Sequence, residues 1–249
     1  MSNENTRELD WIIRDKYQGR VLDGDALSSD MNRVLSGDPI DYVIGWKPFF
    51  GLKIDLSKRP LIPRTETEYW LEEVMIGLDI NKEYSVLDMC AGSGCIGLSF
   101  LSRYLKSKCL FIDIDPEMES QINLNAKTNS IQSDHYKIVI SDLWQSIPTE
   151  AKFDIIFCNP PYVDDQKTLD RSVVDFEPHL AVFSGKRGLD HISRFLENLS
   201  RHLNVDGRAY LEFDDGQEDE IAKICTNNNL IAKFHRDQFG LYRYAYIHA

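Results

Sequence analysis

From Tyr84 onward the chain alternates short apolar runs with helical stripes, and that alternation admits few folds. Runs at 84–89, 108–113, 136–140, 153–158 and 208–213 are rich in β-branched and aromatic residues, as strands are. Stretches at 94–106, 116–129, 189–203 and 216–228 carry apolar residues at helical spacing. Such a sequence predicts an α/β fold, a doubly wound and mostly parallel sheet with helices on both faces. The last two apolar runs, 230–236 and 241–248, meet at Gly240 with no helix between them. They predict an antiparallel hairpin at the end of the sheet.

Upstream the pattern is different. Leu9, Ile12, Ile13, Leu22, Leu27, Met31, Val34 and Leu35 are scattered through the first 36 residues and predict one or two short helices. Ser36-Gly37-Asp38-Pro39 breaks them. Aromatic and β-branched residues around Gly45 and Gly51 predict a β-hairpin over 42–56. Thr65 and Glu68 have the spacing of a capping box, and Trp70, Leu71, Val74, Met75 and Leu78 form the stripe of the helix that follows. The expected organisation is a helical segment at 1–40, a hairpin linker at 41–63 and the main domain at 64–249.

Bulk properties narrow the function. A net charge of -12 weighs against undirected binding to nucleic acid or a membrane surface, because phosphates call for an excess of Lys and Arg. The five cysteines, Cys90, Cys95, Cys109, Cys158 and Cys225, have no CxxC spacing and read as reduced core thiols, not as a disulfide or zinc framework. The N-terminus is polar and no apolar stretch approaches membrane-spanning length. These features predict a soluble cytoplasmic protein without a metal.

A small-molecule site is written at the ends of the first three strands. Val86-Leu87-Asp88 closes the first, the loop Cys90-Ala91-Gly92-Ser93-Gly94 follows, and Gly92 to Gly97 matches GxGxxG. Asp113 and Ile114 end the second strand, where an acid can bind a ribose diol. The glycines alone fit NAD, FAD or S-adenosylmethionine. Three features lean toward the last. The Asp88 carboxylate would repel a pyrophosphate but suits an ammonium and a sulfonium. Asp142-Leu143-Trp144 ends the third strand, where an acid and an aromatic ring can flank adenine; an ordinary turn with a core Trp is the plain alternative. The third is Asn159-Pro160-Pro161-Tyr162 after the fourth strand, beside the switch point where ligands bind in open α/β sheets.

That tetrapeptide carries the chemistry. Neither proline has an N–H to donate, so the ladder stops and leaves a rigid corner with an amide, free carbonyls and an aromatic ring. Such a corner can accept hydrogen bonds from a planar NH2 and stack on its face. Holding both hydrogens favours the form of the nitrogen that attacks a methyl group. Asn159 has no useful pKa and would orient its substrate, not deprotonate it.

Together these residues resemble the release-factor glutamine methyltransferases, the PrmC/HemK-like family of class I S-adenosylmethionine-dependent methyltransferases. The resemblance runs from about Ser36 to the C-terminus. It is carried by Leu61-Ile-Pro-Arg-Thr-Glu-Thr-Glu68, Phe111-Ile-Asp-Ile-Asp115, Asn159 to Tyr162, Glu177-Pro-His-Leu-Ala181, Leu211-Glu-Phe213 and Arg236-Asp237. The terminal hairpin is also what such domains have and a plain dinucleotide fold lacks. The resemblance implies N5-methylation of the glutamine in the Gly-Gly-Gln motif of class 1 peptide-release factors, with S-adenosylhomocysteine as product. It implies that Asn159 and the Pro160 carbonyl hold the glutamine NH2, that Tyr162 packs on it, and that Pro161, Arg64 and Glu66 line the same cleft. Cofactor contacts would fall to Asp88, residues 90–94, Asp113, Ile114, residues 142–144 and Asn159. A monomer is the default. The family's helical N-terminal domain is roughly twice as long as the segment before Ser36, and its glycine loop commonly has Gly and Thr at Cys90 and Ala91. The nearest rival is an N6-adenine or guanine-N2 nucleic-acid methyltransferase, since the same corner can hold a base amine. An oxidoreductase using the GxGxxG match, or a non-catalytic binding module, explains fewer of these features.

Overall fold

The computed structural model describes residues 3–20 and 23–249, so Leu22 of the predicted N-terminal stripe lies outside the described residues. Two helices open the chain, α1 (Asn3–Trp11), which runs into one wider turn at Ile12–Lys16, and α2 (Gly24–Leu35). Asp23 caps α2 through Oδ1, which accepts from the Asp25 and Ala26 amides.

The predicted hairpin is shorter than 42–56. Residues Ile40–Ile44 form a helical turn, α3, that starts after Pro39 and buries Tyr42 and Val43. Only β1 (Trp46–Phe49) and β2 (Leu52–Asp55) pair, as a separate two-stranded sheet. Phe50 and Gly51 both have positive φ, 51° and 78°, as a two-residue turn matched to strand twist requires.

The capping box is also absent. Helix α4 (Thr65–Ile76) has Arg64 at its N-cap and no side-chain cap. The Glu68 carboxylate instead accepts the Phe50 amide at 2.6 Å, fixing the strained turn of the hairpin. A nearby turn with a free amide outcompetes the local cap.

The main sheet has seven strands: β3 (Ser85–Met89), β4 (Lys108–Asp113), β5 (Tyr136–Ile140), β6 (Phe153–Cys158), β7 (Leu203–Glu212), β8 (Ile231–Arg236) and β9 (Tyr242–His248). Their order is β5-β4-β3-β6-β7-β9-β8. The first five run parallel; β9 lies antiparallel between β7 and β8, as the missing helix at Gly240 predicts. Strand β7 starts five residues before the predicted 208. Leu203 pairs with Phe153 and Arg208 with Ile155, so residues 204–207 bulge out between them.

Alternate strand residues face opposite layers, which explains the unbroken apolar runs. Val86, Phe111, Ile155 and Phe157 pack with α4, α5 (Cys95–Arg103) and α6 (Glu117–Thr128). Leu87, Met89, Ile156 and Cys158 pack on the other face, with α8 (Asp190–His202) and α9 (Glu218–Asn227); α7 (Arg171–Phe176) lies in the long loop after β6. The third glycine of the loop motif serves this packing: a Cβ on Gly97 would sit 2.4 Å from the Phe111 ring. Among the described residues no helix is long and apolar enough to cross a membrane.

Candidate active site

The parallel strands all end on one edge of the sheet, and two adjoining cavities open there. The larger in total empty space, about 730 Å3 with the part open to solvent included, runs over the tips of β3, β4 and β5. The smaller, about 490 Å3, lies over the corner after β6. Leu61, Asn159 and Ala181 line both.

Of the predicted ligand contacts, Cys90, Gly92, Asp113, Ile114, Asp142, Leu143 and Asn159 line the larger cleft. Asp113 is fixed by its neighbours: Oδ2 accepts the Gly92 amide at 2.7 Å and Oδ1 the Asp115 amide at 3.0 Å. Burial pushes its carboxyl up, and the backbone amides oppose that. Ile114 presents an exposed apolar side chain on the same wall, and Leu143 adopts a positive φ of 50° to reach the cleft. The Asp142 carboxylate is held by Arg194 at 2.6 Å.

Several predicted contacts lie elsewhere. Asp88 is 1% exposed and sits behind the loop, where Oδ2 accepts the Gly97 amide at 2.8 Å. Burial pushes its carboxyl up to about 8, with Asp113 adding to the rise against the Gly97 bond. It is therefore mostly protonated at neutral pH and does not offer the cleft the negative charge assigned to it. Ala91, Ser93 and Gly94 shape the turn from beneath; Ala91 and Ser93 are buried, and the Ser93 carbonyl accepts from Asn125. Trp144 is half-buried and packs against the core under α8. Its ring stacks on Phe195 and His202, and its Nε1 donates to the Phe195 carbonyl at 3.0 Å.

The Asn-Pro-Pro-Tyr corner borders the smaller pocket. Asn159, Pro160, Tyr162 and Arg64 line it. The Asn159 Oδ1 is buried and has no hydrogen-bond partner. A buried acceptor without a donor is costly unless a ligand supplies one. Pro161 faces the larger cleft instead. Glu66 lines neither cavity; its carboxylate accepts from the neighbouring Thr65 hydroxyl.

Tyr162 is locked from two sides. Its hydroxyl donates to Glu212 Oε1 at 3.0 Å, and its carbonyl accepts from Gln217 at 2.9 Å. Gly188 passes so close that a Cβ there would lie 1.9 Å from the Tyr162 carbonyl oxygen, with φ at 69°. Glu212 also accepts from Thr67 and Trp70, at 2.7 and 2.6 Å. Burial raises its carboxyl and these three donors lower it.

Sequence reasoning missed Glu212, Glu177 and His191. Glu177 accepts from Arg64 at 2.6 Å and from the Ile62 amide at 3.1 Å, pinning the extended roof segment 60–64, which belongs to no sheet, over both cavities. Glu212 and Glu177 stand in segments carrying the resemblance, which is the only signal for them. His191 lines the larger cleft and had no signal at all.

Comparison with known proteins supplies the context. The family described as Conserved hypothetical protein 95 matches residues 70–181. The release factor glutamine methyltransferase of Koribacter versatilis is 35% identical over 193 residues, covering 77% of this chain and 68% of that one. The release factor glutamine methyltransferase of Lactococcus lactis is 30% identical over 239 residues, covering 94% and 86%. A methyltransferase from Pyrococcus furiosus has the same fold, with a TM-score of 0.60 at 19% identity over 88% of this chain and 97% of that one.

Proposed function

Because the chain belongs to the release factor glutamine methyltransferase family, we propose that it methylates N5 of the glutamine in the Gly-Gly-Gln motif of a class 1 peptide chain release factor, using S-adenosylmethionine. The observation that carries the reading is the buried, unpartnered Asn159 Oδ1 where the two cavities meet. A carboxamide entering the smaller pocket brings the NH2 that this oxygen lacks. The Pro160 carbonyl is the second acceptor. Two fixed acceptors orient the nitrogen toward the larger cleft, and positioning of this kind supplies most of the rate.

The lining of the larger cleft suits the cofactor in its donor set. The Asp113 carboxylate suits a ribose diol, Ile114 and Leu143 the faces of an adenine, and the loop at Cys90 and Gly92 the amino-acid end. The cofactor supplies a methyl group already activated on a sulfonium sulfur. No side chain is then required as a general base, which agrees with an Asn at the corner. A single chain carries both cavities, and we read the working unit as a cytoplasmic monomer.

The nucleic-acid reading has less behind it. The chain carries a net charge of -12, against the basic surface a polyphosphate backbone calls for. The test is methyl transfer from labelled S-adenosylmethionine to a purified release factor, to its variant with alanine in place of the Gly-Gly-Gln glutamine, and to DNA and RNA. Label on the intact factor alone is the expected result. Label on nucleic acid alone would overturn the proposal.

A further inference from the structure

His191 stands at the start of α8 and lines the larger cleft with Asp142, Ile114 and Leu180. Its ring is oriented by a serine. Ser184 Oγ accepts the His191 backbone N–H at 3.0 Å and lies 2.7 Å from Nδ1. Ser184 is 1% exposed, so its hydroxyl proton must find a partner inside the protein, and Nδ1 is in place to accept it. With Nδ1 accepting, the ring proton sits on Nε2. Burial, then Arg194, hold the imidazole below its ordinary range while Asp142 and Asp190 oppose them, which keeps the ring neutral. The cleft therefore has an N–H donor on this wall.

Asp142 provides the complementary group. Its Oδ2 is taken by Arg194 at 2.6 Å and by Gln145 at 3.1 Å, which leaves Oδ1 to accept from a ligand. The adenine edge carries an amino donor flanked by ring-nitrogen acceptors. A 6-oxo purine replaces that donor with an acceptor.

We propose that His191 is a specificity residue for the purine, donating from Nε2 to a ring nitrogen of adenine while Asp142 Oδ1 accepts from the 6-amino group. The proposal rests on the S-adenosylmethionine reading of the cleft. It adds a residue from the helix after the long loop to a site otherwise built from strand ends.

The test is calorimetric binding of S-adenosylhomocysteine and of its 1-deaza and 7-deaza analogues to the full chain, His191→Phe and His191→Gln. In the unaltered chain one deaza analogue should bind about three- to tenfold more weakly, the worth of one hydrogen bond. His191→Phe should lose the same factor for S-adenosylhomocysteine and nothing further for that analogue. His191→Gln keeps an N–H donor and should recover most of the loss. Unfolding midpoints measured without ligand separate a binding defect from a folding one. Normal binding by the unaltered chain, with His191→Phe unchanged or with losses that simply add, overturns the role of His191 alone. No binding by the unaltered chain overturns the cofactor reading and this proposal with it.

Discussion

Asn159 and Asp88 are both buried side chains with an unpartnered oxygen, yet they act in opposite ways. Asn159 faces the two cavities, so on the proposed reading a ligand supplies its missing partner. Asn159→Ala should lower methyl transfer on the order of 100-fold while leaving S-adenosylmethionine affinity within about threefold, because it removes positioning and not binding. Single-turnover kinetics beside a calorimetric titration would separate the two; parallel loss of both would refute the assignment. Asp88 faces inward, and its carboxyl is pushed up to about 8 by burial. An acid whose folded pKa lies above its unfolded value near 3.9 binds more protons when folded, so stability falls as pH rises between about 4 and 8. Asp88→Asn should remove that slope and stabilise the fold at pH 8 by about 2 kcal/mol or more. Urea unfolding at pH 5 and pH 8 measures it, and an unchanged slope would show that Asp88 is ionised throughout. Cys90 adds a smaller effect: its φ of 59° is left-handed, which costs a side chain about 1 kcal/mol. Cys90→Gly should therefore leave stability equal or raise it by roughly that amount in the same urea titration.

At the scale of elements, helix α6 shows what periodicity conceals. Gln121, Asn125 and Asn129 fall four apart and would pass for a polar face, yet the first two are fully buried. Their amides pair with the outer edge of β2, where the Lys53, Asp55 and Lys58 N–H groups donate to them at 2.7–2.9 Å. Asn125 also donates to the Ser93 carbonyl at 2.9 Å, joining the hairpin to the glycine loop. Asn125→Leu should cost about 2–3 kcal/mol, since it strands a buried N–H and a buried C=O together. It should also weaken S-adenosylmethionine binding; a variant as stable as the parent in urea would mean that water replaces the amide. Such pairing is invisible in sequence because it joins residues 63 to 76 positions apart by side chain to backbone. The strands were legible for the opposite reason. The central strand β6 is buried on both faces, so five of its six residues are apolar whichever way they point. The same rule fails at α3, where aromatic and β-branched residues fill one helical turn, and at Trp144, where a ring beside the site packs into the core instead.

Across the whole molecule, the segment before the main sheet is fastened to the loop after the Asn-Pro-Pro-Tyr corner by charge. Arg33 and Arg59 both reach Asp38, at 2.7 and 3.0 Å, and Arg59 continues to the Phe176 carbonyl. One residue on, Glu177 takes Arg64 and the Ile62 amide. The roof segment between these two clasps carries Leu61, which lines both cavities. The two cavities thus share one wall, and that wall is held by Glu177 from 113 residues away. Glu177→Ala leaves the half-buried Arg64 guanidinium without its partner and the Ile62 amide without its acceptor, which should cost about 1–3 kcal/mol in urea unfolding. It should also raise KM for the release factor and weaken S-adenosylmethionine binding together, a pattern distinct from Asn159→Ala, where turnover alone falls. Glu177→Gln keeps an acceptor for one of the two donors and should lie between the parent and Glu177→Ala in all three measurements. If Glu177→Ala lost stability while both affinities stayed at the parent's values, the clasp would be a brace for the fold alone, and the two cavities would not be coupled through their common wall.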